Sequence, residues 1–137
     1  MLDKKLLKAK IELMTRSVFL STINLSIKHI ISDEVLTAGT DCKQILYNPD
    51  FCKDLSILEL TGLMAHECWH IAFMHKLRQG NRDQVLWNKA ADYVINNMLL
   101  DSRYTLPPEG LVDKAYKDMS TEQVYDILLD KNESQED

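Results

Sequence analysis

Apolar residues at Leu2, Leu6, Leu7, Ile11 and Met14 recur at three- and four-residue intervals, with lysine and glutamate between them. That spacing predicts an amphipathic helix over residues 2 to about 16. From Phe19 the chain turns β-branched. Thr22, Ile23, Ile27, Ile30, Ile31, Val35 and Thr37 favour strands, and residues 27–30 partly alternate. Thr40-Asp41-Cys42-Lys43 then reads as a turn and Gln44-Ile45-Leu46-Tyr47 as a short strand. Asn48-Pro49-Asp50 ends it, because proline cannot donate to a sheet ladder. The pattern predicts a small antiparallel sheet between about residues 24 and 48.

The remainder reads as helical. Ser56 and Glu59 have the spacing of a capping box, and periodic apolar residues continue to about Leu77 before Gly80-Asn81 breaks the run. Asp83 opens a second helix carrying Leu86, Trp87, Ala90, Ala91, Val94, Met98 and Leu99. Pro107-Pro108-Glu109-Gly110 forces a loop, and Ser120-Thr121-Glu122-Gln123 caps a last helix through about Asp130. The tail, residues 131–137, has nothing to bury and is expected to be disordered. The fold class is therefore α+β, with one domain over residues 1–130 and neither an internal repeat nor a dividing linker.

Composition narrows the class without naming a function. The chain has 137 residues, 45% hydrophobic and 27% charged, enough for one domain with a real core. Four Gly and three Pro exclude collagen-like and low-complexity classes. Sixteen Lys+Arg against 21 Asp+Glu give a net charge of -5, which lacks the basic footprint of a nucleic-acid binder. Cys42, Cys52 and Cys68 are odd in number with no C-x-x-C pair, so neither a disulfide framework nor a zinc ribbon is expected. The N-terminus scatters charge where a signal peptide carries an apolar block, and no run nears the roughly 18 apolar residues of a membrane span. A cytoplasmic location with free thiols and no membrane partner is the expectation.

The chemistry lies in Ala65-His66-Glu67-Cys68-Trp69-His70. Residues four apart share one helix face, so His66 and His70 can both reach one zinc ion, at about 2.0–2.1 Å from each nitrogen. Glu67, beside the first histidine, can take a proton from the metal's water. Cys68 points away from the imidazoles and reads with Trp69 as core. A catalytic zinc wants a third protein ligand and one open position. His75 falls about 140° off the face of His70 on a continuous helix. His29 belongs to the sheet region. Asp92 sits among Ala90, Ala91 and Val94, where an unpaired carboxylate would cost several kcal/mol, so a metal would satisfy it. Asn88 and Asn96 stand one turn either side and are candidates to accept the histidines' second N–H.

Thr40-Asp41, Tyr47-Asn48-Pro49, His66-Glu67-x-x-His70-x-x-x-x-His75-x-x-Arg78 and Trp87-Asn88-x-Ala90-Ala91-Asp92-Tyr93-x-Ile95-Asn96 together resemble a metallopeptidase domain of bacteria and phages. That domain often precedes a von Willebrand factor A-like domain. Leu106-Pro107 and Met119-Ser120-Thr121-Glu122-Gln123-Val124-Tyr125 are similar to it as well, so the likeness runs over about residues 2–130. The resemblance implies a zincin-like architecture: a small sheet whose edge strand flanks the cleft, an active-site helix, and a further helix supplying an acidic third ligand. In gluzincins that ligand is a glutamate, with another polar residue one turn later. Asp92 and Asn96 hold comparable places, the acid one methylene shorter. Family members show Thr-Asp-Gly at the hairpin where this chain has Thr40-Asp41-Cys42. Glycine there permits a positive φ, so Cys42 either accepts a steric cost or takes another turn type. With no von Willebrand-like domain after the last helix, the expectation is a stand-alone version such as a phage encodes, any protein partner being supplied in trans.

These readings predict a zinc-dependent peptidase acting on a peptide or protein substrate. His66, His70 and Asp92 would hold Zn²⁺, and Glu67 would serve as general base. The strand at residues 44–47 would take an extended substrate as an added strand. Tyr47, Tyr93, Tyr104, His75 and Arg78 are the candidates to steady the oxyanion. The first alternative is a non-enzymatic zinc-binding interaction or regulatory module, marked by a fourth protein ligand such as His29 or a cysteine closing the site. The second is a deformylase-like hydrolase using Cys42 or Cys52, neither of which lies in the sequence context of that family.

Overall fold

Ser17, Ser56, Asp83 and Ser120 each hand a side-chain oxygen to a backbone N–H three residues on, and each starts a helix there. These caps punctuate the computed structural model, which describes residues 1–108 and 110–136, the side chains of 133–136 excepted. Glu109 of the expected loop and Asp137 of the expected disordered tail fall outside what it describes, while residues 131–136 continue the last helix instead.

Helix α1 (Leu2–Arg16) forms where the periodicity places it, but it buries a different stripe. Leu6, Ala9 and Leu13 face the core, while Leu7, Ile11 and Met14 are more than half exposed. Helix α2 (Val18–Leu25) replaces the first part of the expected β-branched strand region. Ser17 caps it, and Leu20 and Asn24 bury one turn apart, with Ile23 packed against the same core. Tertiary burial at helical spacing outweighs the strand preference of Thr22 and Ile23.

The sheet is smaller than expected and mixed. Strands β1 (Lys28–Ile31), β2 (Ala38–Thr40) and β3 (Gln44–Tyr47) lie in the order β1-β3-β2. β2 and β3 form an antiparallel hairpin, but β1 pairs with β3 in parallel, correcting the wholly antiparallel expectation. The chain crosses from β1 past the place of β3, forms β2 on its far side and turns back as β3, so β3 runs the same way as β1. Ser32 N–H donates to the Tyr47 carbonyl at 2.9 Å, and Asn48 fastens the crossover through the carbonyls of Val35 and Thr37. β3 is thus central, with Ile45 and Tyr47 fully buried. In the hairpin, Asp41 accepts from the backbone N–H of Lys43 and Gln44, which lowers its pKa. Cys42 takes φ 74°, the left-handed conformation that glycine would supply without strain.

Asn48 caps the short α3 (Pro49–Cys52), and the capping box of Ser56 and Glu59 opens α4 (Ile57–Ala72), with reciprocal bonds of 3.0 and 2.9 Å. α4 does not continue to Leu77. Met74 turns to φ 55°, ψ 39°, and a new turn, α5 (His75–Arg78), starts in another direction. After α6 (Gln84–Asp101) comes a single 3₁₀ turn at Lys114–Tyr116, then α7 (Thr121–Glu136), whose Ser120–Gln123 bonds match its expected cap. α7 extends past the expected end near Asp130.

α4 is the organising element. On one side it packs Leu60, Met64 and Cys68 against α1, α2 and the sheet. On the other it meets α6, which together with α7 and the 3₁₀ turn encloses a second cluster around Trp87, Val94, Tyr116 and Val124. Gly62 permits a close approach on this helix. A β-carbon there would lie 1.9 Å from the carbonyl oxygen of Thr105, so its absence lets the segment after α6 press onto α4.

Candidate metal centre

Four residues along α4 bring His66 and His70 onto one face, their ring centres 4.8 Å apart and their Nε2 atoms 3.1 Å apart. α6 crosses that face and delivers Asp92, whose Oδ1 lies 2.9 Å from Nε2 of His66 and 3.2 Å from Nε2 of His70. Glu67 is 5% exposed, and its carboxylate falls within the same cluster of ligand-type atoms as the two imidazoles. All four line a cleft of about 400 Å³. Residues 37–40 form one wall, and Leu63, Leu106, Pro107 and Leu111 supply apolar lining. Asp92 is a third exposed, open to the cleft instead of sealed among its alanine neighbours.

Hydrogen bonds fix how His66 presents itself. The Asn96 side-chain N–H donates to the Leu111 carbonyl at 2.9 Å, so its Oδ1 is the atom facing His66 Nδ1 at 2.8 Å. That oxygen accepts, so Nδ1 carries the proton and Nε2 of the neutral ring turns a lone pair toward Asp92 and His70. Two imidazole Nε2 atoms and a carboxylate oxygen within 3.2 Å of one another need a proton or a cation among them. A proton partly fills that role. Burial disfavours charge on His66, but the Asp92 hydrogen bond and the charges of Glu67 and Asp92 outweigh it and lift the pKa to about 9. Asp92 moves the other way: burial opposes its charge, and the two imidazoles overcome that and hold its pKa well below the usual carboxylate range.

The donor set also fits a metal. Bonds of about 2.0–2.1 Å at tetrahedral angles place neighbouring ligand atoms about 3.3 Å apart. The three observed separations, 2.9, 3.1 and 3.2 Å, lie close to that spacing. Two imidazoles and one carboxylate are a ligand set that zinc accepts while keeping a position open.

His75, set aside on the assumption of an unbroken helix, comes back to the site. The left-handed turn at Met74 swings its ring alongside His70, Nδ1 to Nδ1 at 3.1 Å. It touches His70, not the cluster of ligand atoms. Burial first, then the electrostatic influence of its neighbours His70 and Arg78, keeps it neutral by lowering its pKa to about 3. Its Nε2 meets Thr121 Oγ1 at 2.8 Å. Neither residue was singled out from the sequence for this place. His75 reads from the sequence as a rejected ligand and an oxyanion candidate, Thr121 as part of a cap, and both fall in the motifs that carry the family resemblance.

Other expectations fall away. His29 uses Nδ1 on the Tyr47 hydroxyl and Nε2 on the Asn24 carbonyl, both at 2.9 Å. Cys52 and Cys68 are buried, with burial raising their thiols to about 11 and about 12, whereas Cys42 lines the cleft outside the cluster. Tyr47 is sealed in the core, Tyr93 packs on Tyr116, Tyr104 lies under the Arg16 guanidinium, and Arg78 is paired with Glu122. Other polar lining comes from exposed Thr37, Lys76, Gln84 and Asn88 with half-buried Thr40 and Gln79, and Asn96, not Asn88, is the amide bonded to a histidine.

A family model described as a "putative metallopeptidase domain" matches residues 2–137. The chain belongs to this family. No curated protein and no solved structure matches it. Membership agrees with the α+β arrangement of a small sheet beside the helix bearing the two histidines, and with a His66–Glu67–His70 group of metal-ligating type. Among the described residues, no helix of this metallopeptidase-family chain is long and apolar enough to cross a membrane.

Proposed function

We propose that the chain is a zinc-dependent peptidase in which His66, His70 and Asp92 hold the ion and Glu67 is the general base. The observation that carries this is the meeting of two Nε2 atoms and one carboxylate oxygen within 3.2 Å, with Asn96 fixing the tautomer that leaves the His66 lone pair free. When bound, the ion lowers the pKa of water toward about 7 and polarises the scissile carbonyl. Glu67, one residue from His66 and lining the cleft, takes the proton of the attacking water and passes it to the leaving amine. Asn96 holds the His66 ring throughout.

The substrate lies along β2. The earlier expectation placed it on residues 44–47, but β3 has partners on both sides and offers no free edge. β2 pairs only with β3 among the described residues, and residues 37–40 wall the cleft. An extended peptide added there runs past Glu67 and the histidines, with the apolar lining from Leu63, Leu106 and Leu111 receiving a side chain. Peptide or protein is thus the substrate class. Among the described residues, no side chain beyond His66, Glu67, His70 and Asp92 joins the cluster, which favours an open site over a closed structural one.

Glu67→Gln tests the mechanism. With a quenched-fluorescence peptide library as substrate, the variant should keep about one zinc per chain by elemental analysis and lose about 10²–10⁴-fold in turnover. Undiminished hydrolysis by a zinc-loaded Glu67→Gln protein overturns the assignment.

A further inference from the structure

We infer that His75 and Thr121 form a positioning relay that sets the tautomer and ring angle of His70, so that the first residue of α7 takes part in building the metal centre. The inference rests on the reading of His70 as a ligand. His70 Nδ1 and His75 Nδ1 are 3.1 Å apart, and His75 Nε2 and Thr121 Oγ1 are 2.8 Å apart. His75 and Thr121 are 4% and 2% exposed, so water does not replace either contact. The His75 ring is clamped on several sides. Trp87 Nε1 donates to the His75 carbonyl at 2.7 Å, the Trp87 ring meets the imidazole edge-on, and Phe73 covers it at 5.3 Å.

Proton counting gives the direction of the relay. Two facing Nδ1 atoms can share one hydrogen and no more. If His75 supplied it, the neutral His70 ring would carry its own proton on Nε2, pointed at Asp92, and could not bind a cation there. The productive order is therefore His70 Nδ1–H donating to His75 Nδ1, and His75 Nε2–H donating to Thr121 Oγ1. A threonine hydroxyl accepts readily, whereas a hydrocarbon in its place would leave His75 free to adopt the wrong tautomer. Arg78, three residues after His75, pairs with Glu122, one residue after Thr121, and so braces the same junction of α5 with α7. His75 acts on the ligand cluster only through His70, and Thr121 only through His75, so both are positioning residues.

The test compares Thr121→Val, Thr121→Ser, His75→Phe and His75→Gln with His70→Ala. Zinc affinity is read by competition with a chromophoric chelator, and ligand geometry by the visible spectrum of the Co²⁺-loaded protein. His75→Phe should weaken zinc about 10–100-fold, as loss of a ligand's hydrogen-bond partner does. His75→Gln, whose amide oxygen can accept from His70, should recover most of that. Thr121→Val should weaken zinc several-fold and shift the cobalt spectrum while the metal-free protein stays folded, and Thr121→Ser should restore both. Thr121→Val keeps shape, so the test survives if His75→Phe does not fold. Wild-type affinity and an unshifted cobalt spectrum in Thr121→Val overturn the relay while leaving His70 as ligand, provided His70→Ala loses the metal. If His70→Ala binds zinc as tightly as wild type, the ligand reading falls and the relay with it.

Discussion

His66 and His70 are the same residue, one turn apart on one helix, facing the same carboxylate, and the protein holds them in different ways. The path from the His66 ring to a fixed backbone is short: Nδ1 meets Asn96, and Asn96 is tied to the Leu111 carbonyl. Asn96 lies one turn beyond Asp92 on α6, so the helix that brings the carboxylate also brings the ring's holder. His70 depends on a longer path, through His75 on α5 to Thr121 on α7, reached across a left-handed residue. One histidine is secured by a helix pair already packed through the core. The other requires two further elements to dock correctly. Preorganisation at this site is therefore uneven, and disturbing α7 should loosen His70 before His66.

The largest expected effect breaks the His66 side at its foundation. Gly62→Ala puts a β-carbon 1.9 Å from a backbone carbonyl, which cannot swing aside as a side chain would. The segment after α6 must lift from α4 at Thr105, and the expected consequence is a shift of the Leu111 carbonyl that anchors Asn96. Overpacking commonly costs about 1–3 kcal/mol, and a clash with backbone belongs at or above the top of that range. Urea denaturation should show a loss of about 3 kcal/mol or more. A loss under about 1 kcal/mol would mean the segment yields freely and does not set the Asn96 anchor. Next in size is Asn96→Ala, which removes the acceptor of His66 Nδ1–H and leaves the Leu111 carbonyl without its donor. Zinc should bind about 10–100-fold more weakly. Measured beside His75→Phe by the same chelator competition, this variant calibrates the comparison. Equal losses put the two rings on the same footing, and a wild-type affinity in Asn96→Ala removes the short path from the account.

The difference between the two histidines also marks where the sequence can be read. Capping boxes at Ser56 and Ser120 and the cap at Asp83 are local bonds between side chain and backbone, so the starts of α4, α6 and α7 follow from residue types a few positions apart. The four-residue steps from His66 to His70 and from Asp92 to Asn96 follow in the same way. His75 does not, because nothing in Phe73-Met74-His75 announces a left-handed residue where no glycine stands. Long-range pairing is equally hidden. The strand at residues 44–47 is legible, but its central place between β1 and β2 is not, and that place moves the proposed substrate edge to β2. In α2, strand-favouring Thr22 and Ile23 mask a helix that exists because Leu20 and Asn24 have a partner to bury against. α1 carries two apolar stripes, and only packing decides that Leu6, Ala9 and Leu13 form the inner one.

The smallest effect isolates the junction that separates the two histidines' supports. Met74 holds φ 55° and ψ 39° with its side chain about half exposed, so the strain there is in the backbone and little packing depends on the side chain. A left-handed conformation costs an L-residue about 1–2 kcal/mol, and glycine escapes that at an entropic cost of about 0.5–1 kcal/mol in the unfolded chain. Met74→Gly should therefore stabilise the protein by up to about 1 kcal/mol, raising the melting temperature by about 2–4 °C. Because glycine adopts the same angles, His75 should stay beside His70 and zinc affinity should not change. Met74→Ala keeps both the strain and the backbone, and it should melt close to wild type. If Met74→Gly is less stable and binds zinc more weakly, the methionine side chain, and not the turn it occupies, is what keeps the longer path to His70 in register.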